Sequence, residues 1–240
     1  MQGDTAQAYG NEEAVGAAIR NCGVPREELF ITTKVWFHNY ESGDCRQSVL
    51  DSMEKLGINY LDMVLLHWLY GNTYTAWRDL EALYQEGIIR AIGVSNFEPD
   101  RLIDLIHFHN ICPAVNQIET HLYCQRKAEY EWLGKYGVAH QAYAPLGQGK
   151  ANEMFAEETV QKIAKTHGKT PAQTVLRFLI QSGVAVIPKS VHVERICENF
   201  NLFNFTLAQE EMEQLKALDT AKTMISNASD PKLAEFAMTW

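Results

Sequence analysis

The first three strand-like segments of the chain are followed by four side chains with proton chemistry: Asp4, Tyr9, Lys34 and His67. Neighbouring strands lie about 4.8 Å apart, so these side chains can meet in one pocket. A phenol, with an ordinary pKa of about 10, is a weak acid, and a buried ammonium beside it favours its ionisation. We therefore expect Tyr9 to be a general acid that Lys34 tunes. Asp4 would hold Lys34 charged, and His67 would orient a carbonyl oxygen or share the proton.

The same four residues also fit a purely structural arrangement. Lys34 and Asp4 would then form a structural ion pair, and His67 would cap a strand. Spacing alone leaves both interpretations open.

Short apolar runs recur along the rest of the chain, and each ends at a polar residue, at intervals that fit one strand followed by one helix. In a (β/α)8 barrel the strand ends converge on the face where the loops build the active site. The pattern therefore predicts an α/β fold of the (β/α)8 TIM-barrel type, with one pocket assembled from the whole chain. The residues at the later run ends are Ser95, Asn96, Gln117, Tyr143, Lys189 and Ser190.

Helical patterns fill the gaps between these runs. Asn11 and Thr170 are candidate N-caps, the latter followed by Pro171, and Gly57 and Gly87 stand where helices should end. The alternation indicates a parallel sheet, and we expect a single domain over residues 1–240 because no linker or repeat divides the chain.

The tail 223–240 is expected to be a mobile loop. Beyond the first helix, from Asn11 to about residue 22, helices are predicted over 48–56, 76–84, 99–107, 129–136, 157–167 and 171–181.

Composition narrows the range of partners and locations. The 240 residues carry a net charge of -9, which argues against binding to nucleic acid or to an anionic membrane surface. Five widely spaced cysteines without metal-ligand spacing indicate neither a disulfide framework nor a structural metal. Since the start of the chain does not resemble a signal peptide and no apolar run has the length of a membrane span, we expect a cytoplasmic protein.

A set of motifs in a fixed order connects the chain to a known family. The segments are DTAQAYGNEEAVGAAI, LFITTKVW, DMVLLHW, AIGVSNF, VNQIE, AYAPLGQG and IPKSVHVERICENF. Together they resemble the aldo-keto reductases over nearly the whole chain. The short loop after His67 is similar to that of the small prokaryotic and protozoan members, such as the diketogluconate reductases and prostaglandin F synthase-like proteins.

The resemblance implies a barrel that binds NADPH in an extended pose and reduces a small aldehyde or ketone to an alcohol. Tyr9 matches the proton donor of the family, and Asp4, Lys34 and His67 complete its catalytic tetrad. Because Trp36 and Trp68 closely follow Lys34 and His67, we expect both to line the substrate site, although both tryptophans also suit ordinary packing. The family also implies a monomer.

The nicotinamide end of the cofactor is matched by four residues. Ser95, Asn96 and Gln117 fall where the family hydrogen-bonds the carboxamide. Tyr143 falls where an aromatic ring stacks on the nicotinamide, although a core tyrosine is the alternative.

The phosphate and adenine end is matched by the chain between residues 145 and 199. Lys189, Ser190 and Arg195 supply two positive charges and a hydroxyl, which suit a ribose 2'-phosphate and favour NADPH over NADH. Glu198 matches an adenine contact but also fits an ordinary solvated helix residue. The remaining matches are Pro145, Leu146 and Gly147 near the pyrophosphate and Asn199 near the adenine.

The amino terminus departs from the family pattern. Only three residues precede Asp4, so the first barrel strand is expected to be missing or at most a stub, giving an N-terminally truncated barrel. We expect the sheet edges near Lys34 and near Phe203 to be unpaired, which would favour self-association. Asp4 and Tyr9 would then be placed less firmly than in the family.

Two other functions remain open at this stage. A cofactor-binding but catalytically impaired regulatory protein would keep the motifs and lose turnover. An isomerase or aldolase on the same fold would use Lys34 as a Schiff-base nucleophile, since the barrel itself does not select a chemistry.

Overall fold

The computed structural model describes residues 1–41 and 43–239. Over this range the chain forms seven strands and eleven α-helices in alternation, and it divides into two compact units, residues 1–116 and 117–240. The elements of the first unit are β1 (Gln2–Asp4), α1 (Glu12–Asn21), β2 (Phe30–Val35), α2 (Asp44–Leu56), β3 (Met63–Leu66), α3 (Thr73–Gln85), β4 (Ile92–Ser95) and α4 (Pro99–His107).

From residue 115 onward the same alternation continues. Here α6 is a short helix that the sequence pattern did not predict, and α7 matches the helix predicted over 157–167 except for its first residue. The elements are β5 (Val115–Glu119), α5 (Lys127–Tyr136), β6 (Ala139–Tyr143), α6 (Ala151–Ala156), α7 (Glu158–His167), α8 (Pro171–Gln181), β7 (Ala185–Val186), α9 (Val193–Phe200), α10 (Gln209–Lys216) and α11 (Pro231–Ala237).

The strands are parallel and follow chain order. In the first unit β1, β2, β3 and β4 lie side by side, with Asp4 opposite Thr32 and Lys34 opposite Leu65. In the second unit β6 pairs with β7. The carboxyl ends of parallel neighbours lie at the same edge of a sheet, so the residues after β1 to β4 are brought together. The chain therefore has the predicted α/β fold with parallel strands.

The amino-terminal strand is present in a short form. β1 has three residues and pairs with β2 from Phe30 to Thr32, and the next residue, Thr5, donates its N–H to the Thr32 carbonyl at 2.9 Å. The expectation of an unpaired edge on β2 was therefore wrong. Phe203, near which a second free edge was expected, lies in a turn after α9 and not in a strand.

Local capping explains several helix boundaries. The Thr170 side chain accepts from the Gln173 N–H while the Gln173 side chain accepts from the Thr170 N–H, a complete capping box at the start of α8. Gly57 ends α2 in the left-handed conformation, as expected. Asn11 precedes α1 but makes no capping bond; its side chain accepts instead from the Thr5 hydroxyl at 2.6 Å.

The tail contains a helix, so the expectation of a mobile loop was wrong. α11 begins after Asp230, whose side chain accepts from the Lys232 N–H at 2.9 Å. Residues 224–226 donate their backbone N–H groups to the buried carboxylate of Glu119. Trp240 lies outside the described residues. Across those residues, helices of the length and hydropathy that a bilayer crossing requires are absent.

The close packing of α1 on α2 depends on a glycine, Gly16, in α1. A Cβ placed on Gly16 would lie 2.4 Å from the carbonyl oxygen of Leu56, which belongs to the backbone and cannot rotate away. Gly134 in α5 is the opposite case, because a Cβ there would have none of the described atoms within 4 Å.

The two glycines therefore give opposite stability changes on substitution. We expect Gly16→Ala to destabilise the fold by about 1–3 kcal/mol through overpacking. Gly134→Ala should stabilise it by roughly 0.5–1 kcal/mol, since alanine loses less backbone entropy in a helix. Thermal and denaturant unfolding of both variants checks this; equal effects at the two positions would contradict the close approach of α1 and α2.

Candidate active site

A fully buried ammonium lies at the centre of the candidate site. Lys34 projects from β2 with no exposed surface, and its Nζ forms an ion pair with the carboxylate of Asp4. Nζ also donates to the carbonyl oxygen of Thr5 at 2.9 Å. Both acceptors come from the end of β1, which the strand register holds beside β2. The ammonium is thus satisfied by a segment more than twenty residues away in sequence.

Tyr9 reaches the same place from a single 3₁₀ turn, Gln7–Tyr9, that follows β1. Nζ of Lys34 lies 5.1 Å from the centre of the Tyr9 ring. The ring also meets the edge of the His67 ring, with 5.8 Å between centroids and an angle of 84°. Tyr9 is 53% exposed, so its ring is accessible to a molecule in solution. The structure thus brings the four predicted tetrad residues together.

Gln7 is a residue of this site that sequence reasoning missed. Its Oε1 accepts from the Trp36 N–H at 2.9 Å and from Nδ2 of Asn39 at 3.1 Å, and its Nε2 donates to the Ser48 carbonyl at 3.0 Å. These bonds tie the turn that carries Tyr9 to the end of β2. A glutamine inside an irregular loop gives no sequence signal for such a role.

His67 lies directly after β3 in a largely buried position. Burial first, and the nearby charge of Lys34 second, lower the pKa of this imidazole to about 3. Its Nδ1 is buried and, within the described part of the chain, has no hydrogen-bond partner. The ring is therefore neutral near physiological pH. Its neighbours are Tyr9 and Trp36, whose ring centroid lies 5.3 Å away at 78°.

Ser95 ends β4 in the first unit, and Asn96 follows it directly. Nδ2 of Asn96 donates to the His67 carbonyl at 3.1 Å and to the Ser95 hydroxyl at 3.2 Å. Asn96 adopts a φ of 62°, which asparagine tolerates better than most residues. Asn116 holds the backbone of the next residue, Phe97: its side chain accepts from the Phe97 N–H at 3.4 Å and donates to the Phe97 carbonyl at 2.7 Å. Sequence reasoning assigned Asn116 no such role, although an asparagine in a buried strand was the available signal.

In the second unit, Gln117 and Tyr143 lie on β5 and β6. Nε2 of Gln117 donates to Oε1 of Gln141 at 2.7 Å. Gln141 therefore orients Gln117, the predicted partner of the nicotinamide carboxamide, and is a third residue that sequence reasoning missed. The Tyr143 hydroxyl lies 2.9 Å from the Ser226 hydroxyl. The sequence left open whether Tyr143 is a core residue or faces the cofactor. In the structure its side chain is half-buried, which lies between these two cases.

The segment after β6 turns tightly. Gly147 has a φ of 72°, and its N–H donates to the Ala144 carbonyl at 2.8 Å. A Cβ on Gly147 would lie 2.7 Å from Cε of Met154. Pro145 is buried and Leu146 packs against the core of the second unit. The left-handed φ therefore favours glycine at position 147, whereas the Met154 methyl group is the end of a flexible side chain and could move aside.

The predicted phosphate and adenine residues lie just before α9 and along it. Lys189 and Arg195 are exposed, and the Ser190 hydroxyl accepts from the His192 N–H at 3.1 Å. Glu198 accepts from the Thr170 hydroxyl and so contributes to packing at the start of α8. Asn199 is half-buried on the same helix.

The two tryptophans differ in their surroundings. Trp36 is half-buried and touches the ring of His67. Trp68 is 8% exposed and stacks on Tyr70 with 5.6 Å between centroids and an interplanar angle of 6°. Of the two, Trp36 has the contact that a wall of the site requires. Groups of three or more side chains suited to holding a metal ion do not occur among the described residues.

A sequence model of the Aldo/keto reductase family matches residues 2–220. The chain belongs to the aldo-keto reductase family. This match covers the segments that carry the tetrad in the first unit and those that carry the predicted cofactor residues in the second.

Known members of the family are similar over most of their length. A 9,11-endoperoxide prostaglandin H2 reductase of Trypanosoma cruzi (strain CL Brener) is 43% identical over 220 residues, covering 91% of this chain and 78% of that protein. The methylglyoxal reductase DkgA of Escherichia coli (strain K12) is 40% identical over 224 residues, covering 92% and 80%. A solved aldo-keto reductase from a Medee basin deep-sea metagenome library has a TM-score of 0.94 and 40% identity, covering 95% of this chain and 85% of that one.

The family is one of NADP-dependent oxidoreductases, and solved members hold bound NADP or NADPH. The family, the enzyme class and the cofactor expected from the sequence are thereby confirmed. The roles of individual residues in this aldo-keto reductase stay predictions.

The neutral state of His67 can be tested directly. Because its folded pKa is about 3 against 6.5 in a free side chain, its ring resonances should not titrate between about pH 5 and 8 in NMR of histidine-labelled protein. As pH falls, His67 is protonated in the unfolded chain at a higher pH than in the folded one. The free energy of unfolding should therefore decrease from about pH 6.5 towards 3. Lys34→Met should raise the pKa only part of the way, since burial remains. An inflection near pH 6.5 in the native protein would contradict this environment.

Proposed function

We propose that this aldo-keto reductase reduces small aldehydes or ketones to alcohols with NADPH, using Tyr9 as the proton donor. One observation carries the proposal: a fully buried ammonium on Lys34 is paired with Asp4 and faces the ring of an exposed Tyr9. A cation at this position stabilises negative charge on a phenol oxygen as it gives up its proton.

The assignment of roles follows from the electrostatics of the cluster. His67 is neutral because its pKa is lowered to about 3, so it is not an imidazolium donor at physiological pH. Its position at the edge of the Tyr9 ring suits a second task, hydrogen bonding to a carbonyl oxygen that accepts the proton from Tyr9 Oη. Lys34 donates to both Asp4 and the Thr5 carbonyl, and attack on a carbonyl carbon would require it to give up these contacts. This disfavours a Schiff-base reaction.

The donor chemistry of the second unit fits NADPH. Two exposed cations, Lys189 and Arg195, stand close in sequence to the Ser190 hydroxyl, and a phosphate dianion binds such a set. The residues proposed to bind the nicotinamide are Ser95, Asn96, Gln117 and Tyr143. The other residues proposed to hold the cofactor are Pro145, Leu146, Gly147, Glu198 and Asn199. When bound, NADPH supplies the hydride.

The substrate class is proposed from the site and from the relatives. Trp36 lies beside His67, and its ring would contact the substrate. Trp68 is buried against Tyr70 and would support the substrate site without facing it as directly. Relatives are named for reduction of methylglyoxal and of a prostaglandin endoperoxide. We propose small carbonyl compounds, with methylglyoxal, aldehydes and keto sugars as the first to test.

Tyr9→Phe tests the proton donor. Removing a general acid should lower kcat roughly 10²- to 10⁴-fold, because proton transfer in the transition state is lost. NADPH binding should change little, since the ring and the neighbouring ammonium remain. NADPH oxidation with the carbonyl panel, followed by absorbance, measures the first effect, and fluorescence titration measures the second.

Tyr84→Phe is the matched control, because Tyr84 is an exposed tyrosine on α3 outside the cluster. Equal turnover of Tyr9→Phe and the native protein would refute the mechanism. A native protein that binds NADPH tightly without turning over any carbonyl in the panel would instead favour a regulatory role.

Arg195→Ala tests the choice of cofactor. Loss of one charge-assisted contact to the 2'-phosphate should weaken NADPH binding roughly tenfold and leave NADH binding nearly unchanged. Lys165→Ala removes an exposed cation from α7 and serves as control. Parallel loss of affinity for both dinucleotides would show that Arg195 does not contact the 2'-phosphate.

A further inference from the structure

Another buried charge, outside the tetrad, lies at the end of β5. The Glu119 side chain has no exposed surface. Its carboxylate accepts the backbone N–H groups of three consecutive residues, Met224, Ile225 and Ser226, the last two at 3.0 Å each. A buried carboxylate that receives this many donors is strongly held, because each bond is charge-assisted and excluded from water.

The neighbouring histidine completes the set of donors. Nδ1 of His121 accepts from the Tyr123 N–H at 3.3 Å, so the ring proton resides on Nε2, which lies 3.1 Å from Oε1 of Glu119. Burial raises the pKa of Glu119, but the bonds from His121 and from the backbone of residues 224–226 outweigh it, and the net pKa lies below the ordinary value. Glu119 is therefore a carboxylate at neutral pH.

The segment that Glu119 holds reaches a residue of the proposed cofactor site. Its last member, Ser226, places its hydroxyl 2.9 Å from the hydroxyl of Tyr143. Lys150 supports the other end of the segment by donating from Nζ to the Met224 carbonyl at 2.6 Å. The carboxylate, the three-residue segment and the tyrosine thus form one connected set of contacts.

We propose that Glu119 is a positioning residue for Tyr143: it fixes the 224–226 segment so that Ser226 holds the Tyr143 ring in the orientation that receives the nicotinamide. The inference rests on the proposed function, in which Tyr143 stacks on the cofactor. Glu119 touches neither substrate nor cofactor and acts only through Ser226. A glutamine at this position has one oxygen in place of two, and its NH₂ group would face a backbone donor.

The test uses the full chain and NADPH as the probe. Glu119→Gln should raise the dissociation constant for NADPH roughly three- to tenfold, the range expected when an aromatic stacking contact is lost. Ser226→Ala should act in the same direction. The double variant should be no weaker than Glu119→Gln alone, because both changes break the same connection. KM for NADPH should rise in parallel, with a smaller change in kcat.

Glu81→Gln is the matched control. Glu81 is also a buried carboxylate, and it accepts the N–H groups of Asn110 and Ile111 at 2.8 and 2.7 Å, away from the proposed cofactor residues. It should lower thermal stability as Glu119→Gln does and leave NADPH affinity unchanged. Equal losses of NADPH affinity in the two variants would mean that general destabilisation is the cause and would overturn the proposal.

Tyr143→Ala separates the two levels of inference. If it weakens NADPH binding while Glu119→Gln and Ser226→Ala do not, the positioning role is wrong and the cofactor role of Tyr143 stands. If Tyr143→Ala itself leaves NADPH binding unchanged, the cofactor role of Tyr143 fails and the positioning role fails with it. Should Glu119→Gln not fold, Ser226→Ala and Tyr143→Phe decide the question, since they remove only the hydroxyl contact.

Discussion

The candidate site depends on one buried cation. Placing an ammonium where water cannot reach it costs several kcal/mol unless it is paired and hydrogen-bonded. Lys34 meets that condition through Asp4, the last residue of the short strand β1, and through the carbonyl of Thr5, which follows the strand. The parallel pairing of β1 with β2 is therefore part of the site as well as of the sheet, because without it the ammonium would lose its acceptors.

The same cation sets the chemistry of its neighbours. Together with burial it keeps His67 neutral, and it lies 5.1 Å from the ring centre of the exposed Tyr9, which we propose as the proton donor. In the second unit a buried anion has the equivalent structural effect: Glu119 gathers backbone N–H groups from a segment more than a hundred residues later in the chain. In both places a buried charge is hydrogen-bonded by groups from a distant segment of the chain, which take the place of water.

Much of the fold was predictable from local chemistry. The helix over 171–181 begins where Thr170 and Gln173 form a capping box, and the helix over 99–107 begins at a proline, so both boundaries were visible in the sequence. The prediction failed where tertiary contacts outweigh local propensity. Gln2, Gly3 and Asp4 have no strand preference but pair with β2, and the tail, rich in serine and asparagine, is held by Glu119.

The sequence by itself determined the identity and order of the groups at the strand ends, and with them the family, because residue types at fixed intervals are local information. It did not show that Gln7 ties down the turn of Tyr9, that Asn116 supports the backbone of Phe97, or that Gln141 orients Gln117. Only the tertiary structure decided these contacts. Hydrogen bonds between segments far apart in the chain depend on strand register and burial. The residues that make them do not recur at regular intervals, so no sequence pattern reveals them.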